Sequence, residues 1–125
     1  MTQVLPVIIY VEGSTLFDPY RWEAIDWDDE DDEDGNLQHC LRHGVTEIVV
    51  YEVLRTRPVE VKVRLETAEF AITGPDEAWS VMWTLLMATS WKRGDWLRPV
   101  TGWHSKGGEI AEWEAAINMT WNGKR

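Results

Sequence analysis

The clearest pattern along the chain is an alternation: Val59, Val61, Val63 and Leu65 against Glu60, Lys62 and Arg64, which predicts a half-buried strand. Ahead of it, Gln3 to Val11 is rich in β-branched residues and predicts an N-terminal strand closed by Glu12-Gly13-Ser14. A loop through Asp18-Pro19 leads to a second strand, Trp22 to Trp27. From Asn36 to His43 the spacing changes. Leu37 and Leu41 lie four apart with Cys40 between them, a narrow helical stripe. Gly44 suits the position just past a helix, where the chain turns with φ > 0. Thr46 then caps a second helix, Glu47 to Leu54, whose β-branched run would also suit a strand, and Pro58 ends that element.

Ala68 to Thr73 reads as a third or edge strand closed by Gly74-Pro75-Asp76. In Ala78 to Thr89, Trp79, Val81, Trp83, Leu85 and Met87 share one period-2 face, and the other face is also mostly apolar. That pattern predicts a central strand covered on both sides. Lys92-Arg93-Gly94-Asp95 signals a hairpin, with Trp96 to Trp103 returning. After Gly107-Gly108, the residues Ile110, Trp113 and Ile117 fall at helical spacing, with Glu109, Glu112 and Glu114 near the helix's positive end. The expected fold is α+β: an antiparallel meander sheet with two N-terminal helices and one C-terminal helix packed on it, in a single domain spanning 1–125.

Composition narrows this little. Hydrophobic residues make up 44% and charged residues 27% of 125 positions, which excludes a collagen-like, coiled-coil or wholly disordered chain. The longest apolar stretch, Val4 to Val11, is interrupted by Pro6 and falls far short of a bilayer span. With no basic leader ahead of it, a cytoplasmic protein without membrane contact is expected. Cys40 is the lone cysteine, so no intramolecular disulfide or cysteine-rich zinc site forms, which suits a reducing compartment.

Charge changes the picture more. The net charge is −10, and eight of the 22 acids lie between Asp26 and Asp34. The remaining 14 acids nearly balance the 12 Lys and Arg, so one segment is acidic and the body is not. Such a body lacks the broad basic field of a dedicated nucleic-acid binder. The run does not make a calcium loop. With Gly35 at the sixth position, the twelfth is Leu41 instead of the required bidentate Glu. A solvated loop, or an anionic patch that recruits a basic partner through Asp31, Asp32, Glu33 and Asp34, remains. His39 and His43 share a helix face, a spacing seen in metal sites, but helix capping explains them more simply and no metal or cofactor is expected. Nine tryptophans serve mainly as core filler, with some left for a partner surface, Trp103 among them. No nucleotide-loop or serine-hydrolase motif occurs.

Trp27-Asp28-Asp29-Glu30 followed by Asn36-Leu37-Gln38-His39-Cys40-Leu41-Arg42-His43-Gly44-Val45-Thr46 resembles the BrnT-like toxins of type II toxin–antitoxin systems, whose pattern is W-D-x-x-N-x-x-H-x-x-(R/K)-H-G-(V/I)-(T/S). The family's second helix ends near E-V-L, here Glu52-Val53-Leu54. Arg98, Val100 and Thr101 sit where its R-x-(I/V)-(S/T)-A-R strand lies, and Glu109 and Trp113 match its last helix. The resemblance spans a core of about 21–118, with 1–20 as an added strand and loop. It implies a RelE-like fold, metal-independent ribonuclease activity and a ribbon-helix-helix antitoxin as partner. Trp27, Asn36, His39, His43 and Gly44 would be its structural motif.

Two departures stand out. Residues 31–35 are inserted in the motif, making 28–35 an acidic insertion, and the A-R of the strand pattern is Gly102-Trp103. RNA cleavage through the 2′-OH needs a base, a proton donor and cations around the phosphorane. Arg98, His104 and Lys106 are the residues left near that strand to supply them, and Arg64, Lys92 and Arg93 are candidates to bind the RNA backbone. Two functions are therefore expected in competition. One is a BrnT-like ribonuclease held inactive by an antitoxin; the other is a non-catalytic acidic interaction protein on the same fold that binds a basic partner. The N-terminal strand offers an edge for homo- or hetero-oligomer formation.

Overall fold

The computed structural model describes residues 15–124, and the expected strand Gln3 to Val11 lies outside them. The elements are β1 (Thr15–Leu16), a 3₁₀ turn (Pro19–Arg21), β2 (Ala24–Ile25), α1 (Asn36–Arg42), α2 (Glu47–Leu54), β3 (Val59–Val61), β4 (Phe70–Pro75), β5 (Met82–Thr89), β6 (Trp96–His104) and α3 (Gly107–Ile117). The fold is α+β. The sheet runs β1-β3-β4-β5-β6-β2, and β3, β4, β5 and β6 pair antiparallel with their neighbours in chain order. It is not purely antiparallel, however: β2 pairs parallel with β6, through Ala24 with Trp96 and Ile25 with Leu97.

The mixed edge follows from how the chain enters. β1 pairs antiparallel with β3 at one edge, whereas β2 lies at the other. The segment between them crosses the end of the sheet, pinned by Phe17 and Trp22, whose rings both stack with Phe70 at 5.9 and 6.0 Å. Backbone bonds from Phe17 N–H to the Pro58 carbonyl and from Glu23 N–H to the Asp95 carbonyl fix its two ends. Of the strand expected over Trp22 to Trp27, only two residues ladder, because Asp26 and Asp28 turn into an ionic cluster described below.

Strand β5 behaves as its pattern requires. Trp83, Leu85 and Met87 enter one core with Cys40, Val45, Val50 and Val53 of the helix-pair side. Met82 and Leu86 enter a second core with Ile110, Trp113 and Ala116 of α3. The sheet is thus sandwiched, with α1 and α2 on one face and α3 on the other. It starts at Met82 and not at Ala78, because Asp76 closes a tight turn. The Asp76 carboxylate accepts from the backbone N–H of Ser80 at 2.9 Å and Val81 at 3.3 Å, and its carbonyl accepts from Trp79 N–H. Likewise β3 stops at Val61, and the alternation through Leu65 continues without ladder bonds; Glu66 has φ 56°.

The helices match their sequence signals closely. The Thr46 hydroxyl accepts from Val49 N–H at 3.1 Å, settling the ambiguous β-branched run as α2. His43 is the C-cap of α1, and Gly44 follows with φ 79°. A buried polar chain ties the second layer together: Thr73 and Thr84 hydroxyls at 2.8 Å, Thr84 with Ser105 at 2.8 Å, and Thr84 donating to Glu109 Oε1 at 2.7 Å. The same Glu109 oxygen accepts from Trp103 Nε1 and from Lys106 N–H at the start of α3.

Gly102 explains one departure from the toxin pattern. A Cβ there would lie 2.7 Å from Leu85 Cδ2, 2.9 Å from the Thr84 carbonyl oxygen and 3.0 Å from Val45 Cγ2. Gly102→Ala, which would introduce the family's residue, should therefore cost about 1–3 kcal/mol by overpacking, read as a lowered urea midpoint. Gly94→Ala, where a Cβ meets nothing within 4 Å, is the control and should change stability little.

Candidate functional site

The acidic segment begins in the structure as part of an ionic cluster and only then becomes a surface. Asp26, buried with 2% of its side chain exposed, accepts from the Ser90 hydroxyl at 2.7 Å and the Lys92 ammonium at 3.1 Å. Arg98, beside it on β6, reaches Asp26 at 3.4 Å and holds Asp28 through both guanidinium nitrogens at 2.9 and 2.5 Å. Asp28 in turn accepts from Asn36 N–H at 2.8 Å while the Asn36 side-chain oxygen accepts from Asp28 N–H at 2.8 Å. The Asn36 amide donates to the carbonyls of Asp26 and Pro99. Two acids and two bases thus neutralise one another at the sheet edge, and Asn36 locks the start of α1 to it. Gly35 is needed here, since a Cβ would meet Asp28 Cβ at 2.6 Å.

Electrostatics follow from these contacts. Burial pushes the Asp26 carboxyl upward, but hydrogen bonds from Ser90 and Lys92 and the charges of Lys92 and Arg98 outweigh it and hold it below the ordinary value. Asp28 is lowered chiefly by its hydrogen bonds from Arg98, against the effect of burial. Arg98 is raised by the same pairing. Nearby, burial pushes the Cys40 thiol up to about 11, which makes it a packing residue and not a nucleophile.

Beyond Asp28 the loop faces solvent. Asp31, Asp32, Glu33 and Asp34 are all exposed. Their backbone is nonetheless organised: the Asp32 carboxylate accepts from Asp34 N–H at 3.0 Å, Gln38 Nε2 donates to the Glu30 carbonyl at 2.6 Å, and Arg42 donates to the Glu33 carbonyl. The backbone of the insertion is thus tied back to α1 through Gln38 and Arg42, with its carboxylates facing solvent. Trp91 stands on the hairpin between Ser90 and Lys92, both bound to Asp26, with 81% of its surface exposed.

The expected catalytic trio is not brought together. Residue pairing places Leu97 opposite Thr89 and Arg98 opposite Ala88, but the register slips at Leu86/Met87, leaving Val100 as an extra residue in β6. Past this bulge His104 pairs with Trp83, a residue of the helix-pair face, and stacks edge-on against it at 4.5 Å. Arg98, next to Leu97 of that same core, points to the opposite side of the sheet. Six residues of strand, roughly 20 Å, separate the two. Lys106 precedes α3, its ammonium 5.8 Å from the centre of the Trp103 ring. Trp103 itself is engaged by Glu109.

Each of the expected RNA-binding cations is paired with an acid. Arg64 pairs with Glu66 at 3.0 Å, Lys92 with Asp26, and Arg93 with Asp95 at 2.8 Å. His39 and His43 lie with ring centres 4.9 Å apart, and among the described residues no group of three or more His, Cys, Asp or Glu is arranged to hold a metal. Trp27 packs against the first core, so Trp27, Asn36, His43 and Gly44 all have structural work in this fold. Sequence reasoning did not single out Trp91 or Asp26. Trp91 has a signal in hindsight, since it abuts the hairpin turn Lys92-Arg93-Gly94-Asp95. Asp26 has none, because it is one acid among eight.

Replacing Arg98 by Met leaves Asp26 and Asp28 without their shared cation and should destabilise the fold by about 3 kcal/mol, the lower figure for a broken buried pair, because Arg98 is 22% exposed. The pH dependence has a definite sign. Both carboxyls are depressed in the folded state from 3.8, so their contribution is complete above about pH 4 and is lost as pH falls through their lowered values. Acid unfolding of the wild type followed by circular dichroism should show that loss, and Arg98→Met should flatten it. No family model matches this sequence, and neither curated proteins nor solved structures give a match to it.

Proposed function

We propose that this chain is a non-catalytic interaction protein whose acidic loop, 29–34, and Trp91 together engage a basic protein partner. The observation that carries this reading is Trp91, 81% exposed on a hairpin whose flanking Ser90 and Lys92 are tied to Asp26, at the root of the acidic loop. A large exposed indole is the residue type most enriched at binding hot spots. The exposed carboxylates of the loop that follows Asp26 favour Lys- or Arg-rich segments and speed their encounter. Arg98 is occupied by Asp28 and Asp26, so the strongest cation of the expected cleavage site serves the architecture of the loop.

A second reading keeps the toxin resemblance: a divergent BrnT-like ribonuclease on a RelE-like fold, with Arg98, His104 and Lys106 as its candidate residues and a ribbon-helix-helix antitoxin as its partner. In its favour, a helix pair, a four-strand antiparallel run and a last helix occur in the order that resemblance implies.

Two measurements separate them. Fluorescence anisotropy with a labelled Arg/Lys-rich peptide should show binding that weakens with salt. Trp91→Ala should weaken it about tenfold, the scale of a hot-spot truncation. Neutralising Asp31, Asp32, Glu33 and Asp34 together should weaken it and flatten the salt dependence. RNA incubated with the purified chain and a chelator should stay intact. Cleavage that disappears in an Arg98→Ala, His104→Ala double variant would overturn the interaction reading in favour of the ribonuclease.

A further inference from the structure

A pocket of about 320 Å³ opens where the α2–β3 connection, the β4–β5 turn and the end of α3 meet, on Arg55, Arg57, Trp79, Trp113, Ile117 and Met119. It shares none of these residues with the acidic loop or with the Arg98 cluster. Its walls differ in chemistry. Arg55 and Arg57 come from the α2–β3 connection, Trp79 from the β4–β5 turn, and Trp113, Ile117 and Met119 from α3 and its end.

The residues that build it are held there deliberately. Of the four non-glycine residues with positive φ among the described ones, two, Arg57 at 56° and Trp79 at 55°, line the pocket, and Asn118 at 59° lies between Ile117 and Met119. Bulky side chains avoid this region of backbone space, and such outliers persist only where their surroundings over-determine them. Thr56 supplies one anchor, its hydroxyl donating to the carbonyls of Val53 at 3.0 Å and Pro75 at 2.6 Å. The Asp76 turn supplies the other, beneath Trp79. Trp79 remains 44% exposed while one side of its ring rests on Trp113, edge-to-face at 5.8 Å, and beside Trp121 at 6.1 Å. Trp79 is therefore a fixed aromatic platform and not a loose surface side chain.

The cations are available to different degrees. Arg57 is exposed and has no ion pair or side-chain hydrogen bond among the described residues. Arg55 is held by Glu77 at 2.6 Å in a pair that is 62% and 47% exposed, open to exchange with another anion.

We infer that this pocket binds a single nucleotide unit, the base stacked on Trp79 and the phosphate held by Arg57 and Arg55. A planar ring on an indole together with guanidinium on phosphate is how proteins take nucleotides without reading sequence. The volume is at the small end for ligand sites, which suits one nucleotide. The net charge of −10 opposes a long polyanion, so the unit is a free mononucleotide or the end of a short single strand.

Calorimetric titration of the full chain with 5′-AMP and 5′-GMP at low salt, with inorganic phosphate, adenosine and an RNA trimer as further probes, tests this. Mononucleotides should bind more tightly than phosphate or adenosine alone; binding of the trimer without the mononucleotides would place the source at a strand end. Trp79→Gly relieves the backbone strain, so a thermal melt checks that the fold survives, yet it should weaken binding about tenfold or more. Arg57→Gly, also relieved of strain, should do the same, and Glu77→Gln should tighten binding by releasing Arg55. Absence of nucleotide binding to the wild type, or binding unchanged in folded Trp79→Gly and Arg57→Gly, overturns the inference.

Discussion

The reciprocal bracket between Asp28 and Asn36 is the contact on which the rest of this edge depends. Each residue's backbone N–H is satisfied by the other's side chain, and the spare Asn36 amide reaches the Asp26 and Pro99 carbonyls. One side chain thus joins β2, β6 and the first turn of α1, whose free N–H groups would otherwise go unpaired. Arg98 closes the bracket from the sheet side. With this joint in place, the six acids at 29–34 occupy a short organised loop outside any regular helix. That is how the chain accommodates an acidic run that would repel itself along a regular helix.

Much of the fold was legible because local signals agreed with one another. Thr46 and Gly44 marked the limits of α2 and α1, and the doubly apolar pattern of β5 placed it between two layers. What escaped the sequence was non-local. The parallel pairing of β2 depends on a strap held by Phe17, Trp22 and Phe70, residues far apart in the chain, and no local motif encodes which edge a two-residue strand will join. The alternation through Leu65 overran β3 because alternation reports burial, not hydrogen bonding.

The site was less legible for the same reason. A guanidinium in a strand motif reads as a phosphate ligand until its neighbours are known, and Asp26 and Asp28 are 72 and 70 positions from Arg98. The resemblance residues Trp27, Asn36, His43 and Gly44 fare better, since each does something for the fold whatever chemistry the fold serves. Residues of this kind report what the architecture needs more securely than what reaction it serves. Function has to be argued from the groups left over once the architecture is satisfied.

The extra residue at Val100 has a wider meaning. In a pleated strand, odd and even positions address different sides of a wall, and one inserted residue exchanges them for everything downstream. Arg98 and His104 carry the same parity in the sequence yet stand on opposite sides, so β6 is two addresses written on one line. A chain with this slip can present unrelated surfaces from a single strand. A strand without that extra residue would keep the same pairing on either side of the gap, and its two ends would still face opposite ways, so the bulge lengthens the divider without removing it.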